Sequence, residues 1–357
     1  MCPTGDGLFV GASKHRRFAS PRGDRAATIS RAATSPVAEA IAITTLLTAD
    51  AEIAETEIAG PDELVAAARP FLKWAGGKTQ LLPALLERAP RAIDTYYEPF
   101  VGGGAFFFAL IAEPDLAPRR AVLNDMNHEL VTTYTVVRDH LEELLARLEV
   151  LSADYYGEDE EGRASYYYAV RDEQRSAPVE VAARLIFLNK TCFNGLYRVN
   201  RQGRFNVPHG RYKKPAILDR PNLEAASRAL QDAEIVHGDF EAICADAGPD
   251  DFVYFDPPFH PLSDTASFTA YTEGAFGRDD QLRLRWLMDS LGERGVSVML
   301  SNSPHEWIVG VYEGGKYQVE RTPARRAINS KGDGRGVVDE LVVTNDYPRR
   351  GRIESLD

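Results

Sequence analysis

The sequence predicts an α/β fold in which one doubly wound sheet is interrupted by an insert. Residues 96–125 contain a short strand, a glycine turn, a helix and a second strand that ends in an acidic residue, the pattern of a nucleotide-binding α/β half. Leucines at three- and four-residue spacing then predict amphipathic helices over residues 129–190. Strand-like runs return at residues 234–237, 252–255, 296–300 and 340–343.

These patterns divide the chain into consecutive parts. Residues 1–66 are rich in Ala, Thr, Ser and Arg and scarce in aromatics, so we expect a disordered extension. Within the insert, the glycine-punctuated segment 191–214 predicts a hairpin with Gly203 near its tip. The predicted parts are the extension 1–66, the first half of the sheet domain 67–128, the insert 129–220, the second half 221–346 and a tail 347–357.

Composition excludes several classes of protein. The start of the chain does not resemble a secretory signal, and no stretch approaches the roughly 18–20 apolar residues that span a bilayer. The three cysteines, Cys2, Cys192 and Cys244, are too widely spaced for a disulfide framework or a metal site. We therefore expect a cytoplasmic protein without a membrane segment or a bound metal.

Charge is distributed unevenly along the chain. The formal net charge is -12, which by itself argues against a partner made of nucleic acid. The segment from Lys190 to Lys214, however, contains seven basic residues and no acidic one. A charged run is commonly just a solvated face, but here aromatic and Asn side chains that stack or hydrogen-bond are interleaved with the basic ones. This combination favours an element that reads nucleic acid.

The tetrapeptide Asp256-Pro257-Pro258-Phe259 follows the apolar run 252–255, so its carboxylate is expected at the carboxyl edge of the sheet, where open α/β sheets bind ligands. The two prolines remove two N–H donors, which leaves a loop that mainly accepts hydrogen bonds. Such a loop suits an amino group, and Phe259 offers a face on which a flipped base can stack. The alternative for the bare tetrapeptide is an ordinary proline turn.

Two glycine motifs invite familiar interpretations that fail. Gly77-Lys78-Thr79 would complete a P-loop only with a glycine at position 72, which is Leu72. The turn Gly102-Gly103-Gly104 would complete a dinucleotide fingerprint only with a glycine at Phe107. A turn that lets the backbone approach a smaller adenosyl ligand stays open, with Asp125 accepting hydrogen bonds from ribose hydroxyls.

The order of these motifs is similar to that of the Dam family of DNA adenine-N6 methyltransferases, the D12 class with α motif order. The resemblance spans about residues 70–345 and leaves the extension outside. It rests on FLKWAGGK (71–78), EPFVGGG (98–104), FNGLYRVNRQGRFNVPHGRYKK (193–214), DPPFHPLSDTASFTAY (256–271) and Ser301-Asn302, with weaker matches at 325–330 and 339–341.

The resemblance implies a Rossmann-like, S-adenosylmethionine-dependent methyltransferase sheet with an inserted helical and β-hairpin target-recognition domain. It implies that Asp256 is the catalytic acid, within the predicted catalytic set Asp256, Pro257, Pro258 and Phe259. With the glycine turn, and with Asp239 placed after a strand beside the adenine, the predicted cofactor-binding set is Trp74, Lys78, Glu98, Phe100, Gly102, Gly104, Asp125, Asp239 and Asp256. The predicted DNA-binding set is Phe193, Asn194, Leu196, Arg198, Pro208 and Arg211.

Arg198 is the main candidate for a base contact, because a guanidinium can pair with guanine O6 and N7. Two residues depart from the family pattern: Phe259 replaces a tyrosine and keeps stacking without the hydroxyl, and Phe193 replaces a tyrosine on the DNA side. Because the hairpin otherwise matches closely, the expected reaction is methylation of adenine N6 in double-stranded DNA within GATC.

Three alternatives accompany this expectation. Cytosine-N4 and protein-glutamine methyltransferases share the chemistry, but they tend to carry Ser or Asn at the position of Asp256, and the glutamine enzymes do not need a basic hairpin. An inactive methyltransferase that only binds DNA is a third, and the presence of Lys78, Asp125 and Asp256 argues against it.

A cognate restriction endonuclease that acts separately is a candidate partner.

Overall fold

The computed structural model of the chain describes residues 67–259, 276–325 and 337–349. The predicted extension 1–66, the part of the matched string after Phe259, residues 326–330 of the weaker match and residues 350–357 of the tail lie outside these ranges. Within the described ranges, no helix is long and apolar enough to cross a membrane.

The described strands form one seven-stranded sheet. Their order is β3-β2-β1-β4-β5-β7-β6, with β1 to β5 parallel and β7 antiparallel to both β5 and β6. The chain order reverses between β1 and β4, so a ligand-binding crevice is expected at the carboxyl ends of these strands. The strands are β1 (Thr95–Glu98), β2 (Arg120–Asp125), β3 (Ala233–His237), β4 (Phe252–Phe255), β5 (Ser297–Asn302), β6 (Gln318–Arg325) and β7 (Val337–Thr344).

Helices cover both faces of the sheet, which confirms the doubly wound prediction. In β4, Phe252 and Tyr254 pack into one apolar cluster, whereas Val253 and Phe255 pack into a second cluster with α8 and α9. A strand buried on both faces needs an unbroken apolar run, which explains its sequence. The helices are α1 (Leu82–Arg88), α2 (Ala105–Ile111), α3 (His128–Asp139), α4 (Leu141–Gly157), α5 (Glu160–Asp172), α6 (Pro178–Thr191), α7 (Arg220–Leu230), α8 (Arg278–Glu293) and α9 (Glu306–Tyr312).

The insert between β2 and β3 is largely helical, as its leucine spacing predicts. Helices α4, α5 and α6 pack beside α3 and extend the first apolar cluster. Tyr155, Tyr167 and Phe187 are fully buried there. The hydroxyl of Tyr167 donates a hydrogen bond to the Val207 carbonyl at 2.7 Å, which fixes the segment after α6 to the helices.

The predicted hairpin is present as a tight turn with isolated bridges rather than as a regular two-stranded ladder. Val199 bridges Phe205 in antiparallel fashion, and the Asn200 amide donates to the Arg204 carbonyl at 2.8 Å. Gly203 lies in the turn with φ +73°, a conformation that favours glycine. Phe205 is buried and anchors the returning arm to the insert.

The last two strands of the sheet, β6 and β7, differ from the sequence prediction. Strand β7 is longer than the apolar run 340–343, and β6 was not predicted. The sequence of β6, QVERTPAR, is mostly polar and contains Pro323, because it is an edge strand that pairs with β7 alone.

Candidate active site

Three acidic residues of the predicted site lie at the carboxyl ends of three neighbouring strands. Glu98 ends β1, Asp125 ends β2, and Asp256 directly follows β4. Strand β1 lies between β2 and β4 in the sheet. The topology therefore brings together residues that are up to 158 positions apart in the sequence.

Asp256 is held by a buried cation. Its Oδ1 lies 2.7 Å from Nζ of Lys78, whose side chain is 3% exposed, whereas that of Asp256 is 21% exposed. Lys78 Nζ also donates to the Gly76 carbonyl at 2.7 Å and lies 4.5 Å from the centre of the Phe259 ring. Burial raises the pKa of the Asp256 carboxyl, and Lys78 opposes that shift by stabilising the ionised form.

A hydroxyl chain orients the Asp256 carboxylate from the neighbouring strand. Ser301, in β5, donates from Oγ to Asp256 Oδ1 at 2.9 Å. The Tyr254 hydroxyl lies 2.9 Å from Ser301 Oγ. Since Ser301 uses its one hydrogen on Asp256, Tyr254 is the donor in this second bond. Burial raises the pKa of Tyr254 well above its ordinary value, so the phenol keeps the proton that it donates.

The loop after Asp256 is anchored by a buried amide. Gln281, in α8, donates from Nε2 to the Pro258 carbonyl at 3.2 Å. Its Oε1 accepts a hydrogen bond from Asn302 Nδ2 at 3.0 Å. Pro257 is buried, whereas Pro258 is exposed. Residues 256–258 are therefore held by β4 on one side and by α8 on the other.

Glu98 lies behind this pair rather than on an open surface. It is buried and accepts a hydrogen bond from the Tyr96 hydroxyl at 2.9 Å. Burial raises the pKa of Glu98 well above its ordinary value, and the Tyr96 bond opposes the shift. The buried Glu98 carboxyl thus interacts electrostatically with both Asp256 and Lys78.

The glycine turn after β1 closes over Asp125. The Gly102 amide donates to Asp125 Oδ2 at 3.1 Å, and the Asn127 amide donates to Oδ1 at 2.9 Å. Burial raises the pKa of Asp125, while these amides oppose the shift. Gly102 has φ +48°, and a Cβ there would lie 2.7 Å from Cδ1 of Trp74. Gly104 has φ +66°, where a Cβ would meet the Tyr134 hydroxyl at 2.6 Å. Only glycine fits this turn against the indole.

Trp74 joins the turn to the insert. Its ring packs on Gly102 and stacks on Tyr197 with a centroid distance of 5.0 Å and an interplanar angle of 24°. The indole is partly buried rather than a fully enclosed core aromatic. The structure thus brings Trp74, the glycine turn and Asp125 into one neighbourhood.

Phe100 and Asp239 both lie next to Phe240. The Phe100 ring is 5.3 Å from Phe240 and 5.4 Å from Phe276, centre to centre. Asp239 accepts hydrogen bonds from Arg283 Nη2 at 2.9 Å and from the Glu241 amide at 3.0 Å. The Asp239 carboxylate is therefore engaged with a surface arginine, and its predicted position beside an adenine stays a prediction.

The predicted DNA-binding residues lie along the loop from 193 to 211. Phe193 is 50% exposed, although its amide donates to the Pro208 carbonyl at 2.8 Å. The exposed Arg198 donates from Nε to Asn206 Oδ1 at 2.6 Å and from Nη2 to the Asn206 carbonyl at 3.1 Å. This pairing fixes the plane of the guanidinium. Leu196 packs on the apolar core of the insert and supports the loop from below.

Two of these residues have left-handed backbone. Asn194 has φ 58°, and its amide donates to the Tyr212 hydroxyl at 3.0 Å. Arg211, which is exposed, has φ 52°. Left-handed conformations are uncommon outside glycine and concentrate at functional sites.

An amide clamp that the sequence did not predict fastens this loop to the segment before α1. Asn189 accepts from the Lys73 amide at 2.8 Å and donates to the Lys73 carbonyl, also at 2.8 Å. It donates to the Gly195 carbonyl as well, at 3.2 Å. Nothing in the sequence of α6 distinguishes Asn189 from an ordinary polar residue of a helix.

An open α/β sheet with this glycine turn and these strand-end acids defines the Rossmann-like methyltransferase class. A family model described as D12 class N6 adenine-specific DNA methyltransferase matches residues 74–328. The chain belongs to this family, and it is an adenine-specific DNA methyltransferase.

Curated relatives agree over most of their length. The chain is 43% identical to "Type II methyltransferase M.MjaIII" of Methanocaldococcus jannaschii over 288 residues, 77% of this chain and 98% of the relative. It is 41% identical to "Type II methyltransferase M1.LlaDCHI" of Lactococcus lactis subsp. cremoris, over 78% of this chain and 95% of the relative. It is 35% identical to "DNA adenine methylase" of Escherichia coli K12, over 77% and 94%.

Proposed function

We propose that this enzyme transfers a methyl group from S-adenosylmethionine to N6 of an adenine that is flipped out of double-stranded DNA, within GATC. The observation that carries the proposal is the ion pair between Lys78 and Asp256 at the end of β4, next to the ring of Phe259. Family membership supports the reaction class. The GATC target rests on the resemblance of residues 193–214 to the Dam family.

The residues around the glycine turn fit an adenosyl ligand. The turn admits no Cβ at Gly102, so its backbone lies directly against the edge of the Trp74 indole. Trp74 offers an aromatic wall, and Asp125 is an acceptor already oriented by two amides. When bound, S-adenosylmethionine supplies an electrophilic sulfonium methyl group.

Asp256 and the loop after it provide the nucleophile's environment. The N6 lone pair of adenine is delocalised into the ring, so the amino group attacks poorly until acceptors hold its hydrogens. Asp256 and the Pro257 carbonyl accept these two hydrogens and favour a pyramidal nitrogen, while Phe259 stacks on the base. Asp256 would then accept the N6 proton along its hydrogen bond once the amino nitrogen has taken the methyl group.

Two contacts prepare Asp256 for this role. Ser301 occupies one lone pair of Oδ1, and Lys78 stabilises the ionised carboxylate against the effect of its burial. An ionised carboxylate is the stronger acceptor for an amino hydrogen. Gln281 fixes the position of Pro258 relative to α8 by donating a hydrogen bond to its carbonyl.

The decisive experiment is methylation-aware sequencing of DNA from cells that express the wild-type protein or Asp256→Ala. We expect N6-methyladenine at GATC with the wild type and its loss with the variant. Asp232→Ala is the matched control, because Asp232 is an exposed carboxylate just before β3, at the opposite edge of the sheet.

Each part of the proposal has its own contrary outcome. Methylation at another sequence would refute GATC alone, and N4-methylcytosine would refute the base. A wild-type protein that binds DNA but neither binds S-adenosylmethionine nor modifies DNA would instead be an inactive DNA-binding module. DNA that carries the modification resists cleavage by an endonuclease that methylation of GATC blocks. We propose that any cognate restriction endonuclease of this enzyme is a separate protein that acts independently of it.

A further inference from the structure

Tyr197 lies between the loop proposed to read DNA and the pocket proposed for the cofactor. One neighbour of its ring is Trp74, stacked at 5.0 Å. Another is Phe205, on the returning arm of the hairpin, at 5.7 Å and nearly perpendicular at 69°. The residue after Tyr197 is Arg198, the candidate base contact. One ring thus contacts both the pocket wall and the hairpin.

The hydroxyl of Tyr197 makes a second connection to the pocket. It donates to Glu129 Oε2 at 3.1 Å, and Arg184 Nη1 approaches Glu129 Oε1 at 3.4 Å. Glu129 lies in the first turn of α3, two residues after Asn127, whose amide holds Asp125. Burial, followed by the nearby Glu129 carboxylate, raises the pKa of Tyr197 to about 12, so the hydroxyl is a donor at neutral pH.

The hairpin base and the pocket wall are also clamped through the backbone. Asn189 bonds both the Lys73 backbone and the Gly195 carbonyl. A Cβ at Gly195 would lie 2.6 Å from Cδ of Lys73, so the two segments are in close contact. Because Trp74 follows Lys73 directly, a ligand that fixes the loop also restrains the indole.

We propose that Tyr197 is a positioning residue that couples the binding of target DNA to the binding of S-adenosylmethionine. This inference rests on the proposed function. DNA that orders residues 193–198 holds the Tyr197 ring, and that ring holds Trp74 against Gly102. The cofactor then binds a pocket wall that DNA has already ordered, so its binding loses less conformational entropy. By thermodynamic linkage, the cofactor tightens DNA binding by the same factor.

The test is a binding cycle with the demethylated product S-adenosylhomocysteine, which permits no turnover. Its Kd is measured with and without a short duplex that carries the sequence methylated in cells. For the wild type we expect the duplex to tighten binding by about fivefold or more, the lower end of common coupling factors. Tyr197→Leu removes both the stack and the hydroxyl but leaves the Asn189 clamp, and its ratio is expected to fall well below that of the wild type. Tyr197→Phe keeps the stack, and its ratio is expected to lie between the two.

The control is Tyr166→Phe. Tyr166 donates to Asp154 at 3.1 Å within the same insert, and burial raises its pKa to about 12 as well, but it does not contact Trp74. Its coupling ratio is expected to equal that of the wild type. General damage to the fold weakens both Kd values together and leaves their ratio unchanged, so the ratio separates positioning from stability.

The outcomes distinguish this inference from the proposed function. A Tyr197→Leu protein with the wild-type ratio overturns the inference, and so does a wild-type ratio of one in an enzyme that methylates DNA. A wild type that does not bind S-adenosylhomocysteine overturns the proposed function instead. If Tyr197→Leu does not fold, Tyr197→Phe decides: a reduced ratio supports the coupling, and an unchanged ratio overturns it.

Discussion

Replacement of Gln281 by Met tests how the catalytic loop is held. Gln281 is 1% exposed, and its amide joins the Pro258 carbonyl to Asn302. Met has a similar volume but makes neither hydrogen bond. The substitution therefore removes two polar contacts with little change in packing, and it leaves Asp256 and its partners untouched.

The expected loss of stability follows from the polar atoms that lose their hydrogen-bond partners. Asn302 is fully buried, so the hydrogen on Nδ2 that donates to Gln281 loses its partner, at a cost of about 1–3 kcal/mol. Pro258 is exposed, so water can reach its carbonyl and the cost there lies near the lower end. A total of about 2–4 kcal/mol corresponds to a fall in Tm of roughly 4–16 °C for a domain of this size.

The loop that carries Phe259 loses its anchor on α8. A displacement near 1 Å at a reacting centre costs about a hundredfold in rate, so we expect kcat to fall roughly ten- to hundredfold. Binding of S-adenosylhomocysteine should change less than about threefold, because the proposed adenosyl contacts are elsewhere. Thermal melting, single-turnover methylation and cofactor titration measure the three quantities.

Gln231→Met is the matched control. Gln231 likewise makes two hydrogen bonds through its side chain, here donated to the backbone carbonyls of Arg138 and Ser227, but it is exposed, so water replaces the lost partners. We expect less than about 1 kcal/mol of destabilisation and wild-type kcat. A Gln281→Met enzyme that melts early but keeps its kcat would refute the proposed anchoring, and one with an unchanged Tm would refute the estimate of the hydrogen bonds.

Three further substitutions test the site. Lys78→Met removes the cation that lowers the pKa of Asp256, so the carboxylate ionises at higher pH; the acidic limb of the pH–rate profile should move to higher pH, and superimposable profiles would contradict this. Gly102→Ala places a Cβ 2.7 Å from Trp74 at φ +48°, so we expect about 1–3 kcal/mol of destabilisation and weaker cofactor binding, measured by melting and titration. Arg198→Ala should reduce the preference for GATC by about 1–3 kcal/mol, roughly five- to 150-fold, in competition binding at fixed salt; equal loss on all sequences would make Arg198 a phosphate contact.

The pH dependence of stability has a defined sign for Asp256. Its folded pKa is raised by burial, so the folded protein binds a proton more tightly than the unfolded chain does. Its contribution to stability therefore decreases as pH rises from the unfolded pKa through the folded one. Lys78→Met should widen that window, because the cation that opposes the shift is removed.

The sequence predicted those elements that a short stretch of residues determines, such as a strand buried on both faces or a turn that requires glycine. Strand β4 is recognisable because residues 252–255 are apolar on both faces, and the turn at Gly102 is recognisable because its backbone requires glycine. The hairpin was predicted from Gly203 and its charges, although it contains only isolated bridges. These signals lie within short windows of sequence.

The features that the sequence did not reveal depend on distant partners. Strand β6 is polar because one edge is unpaired, so no alternation marks it. Gln281 and Asn189 are single polar residues of helices, and only the fold shows that they hold Pro258 and Lys73. Ser301 lay in a string with a family match, but its bond to Asp256 depends on the pairing of β4 with β5.

The pairing of β1 with β4 has a consequence for biosynthesis. Tyr96 is paired with Phe252, so the centre of the sheet joins residues 156 positions apart. While the ribosome synthesises the insert, β1 has its β2 partner on one side only and exposes the other edge. The early-made half thus carries an open strand edge, a template for association between nascent chains, until β4 emerges and covers it. The insert helices α3 to α6 pack mainly on one another, and all of them are synthesised before β4, so this module can fold during that interval.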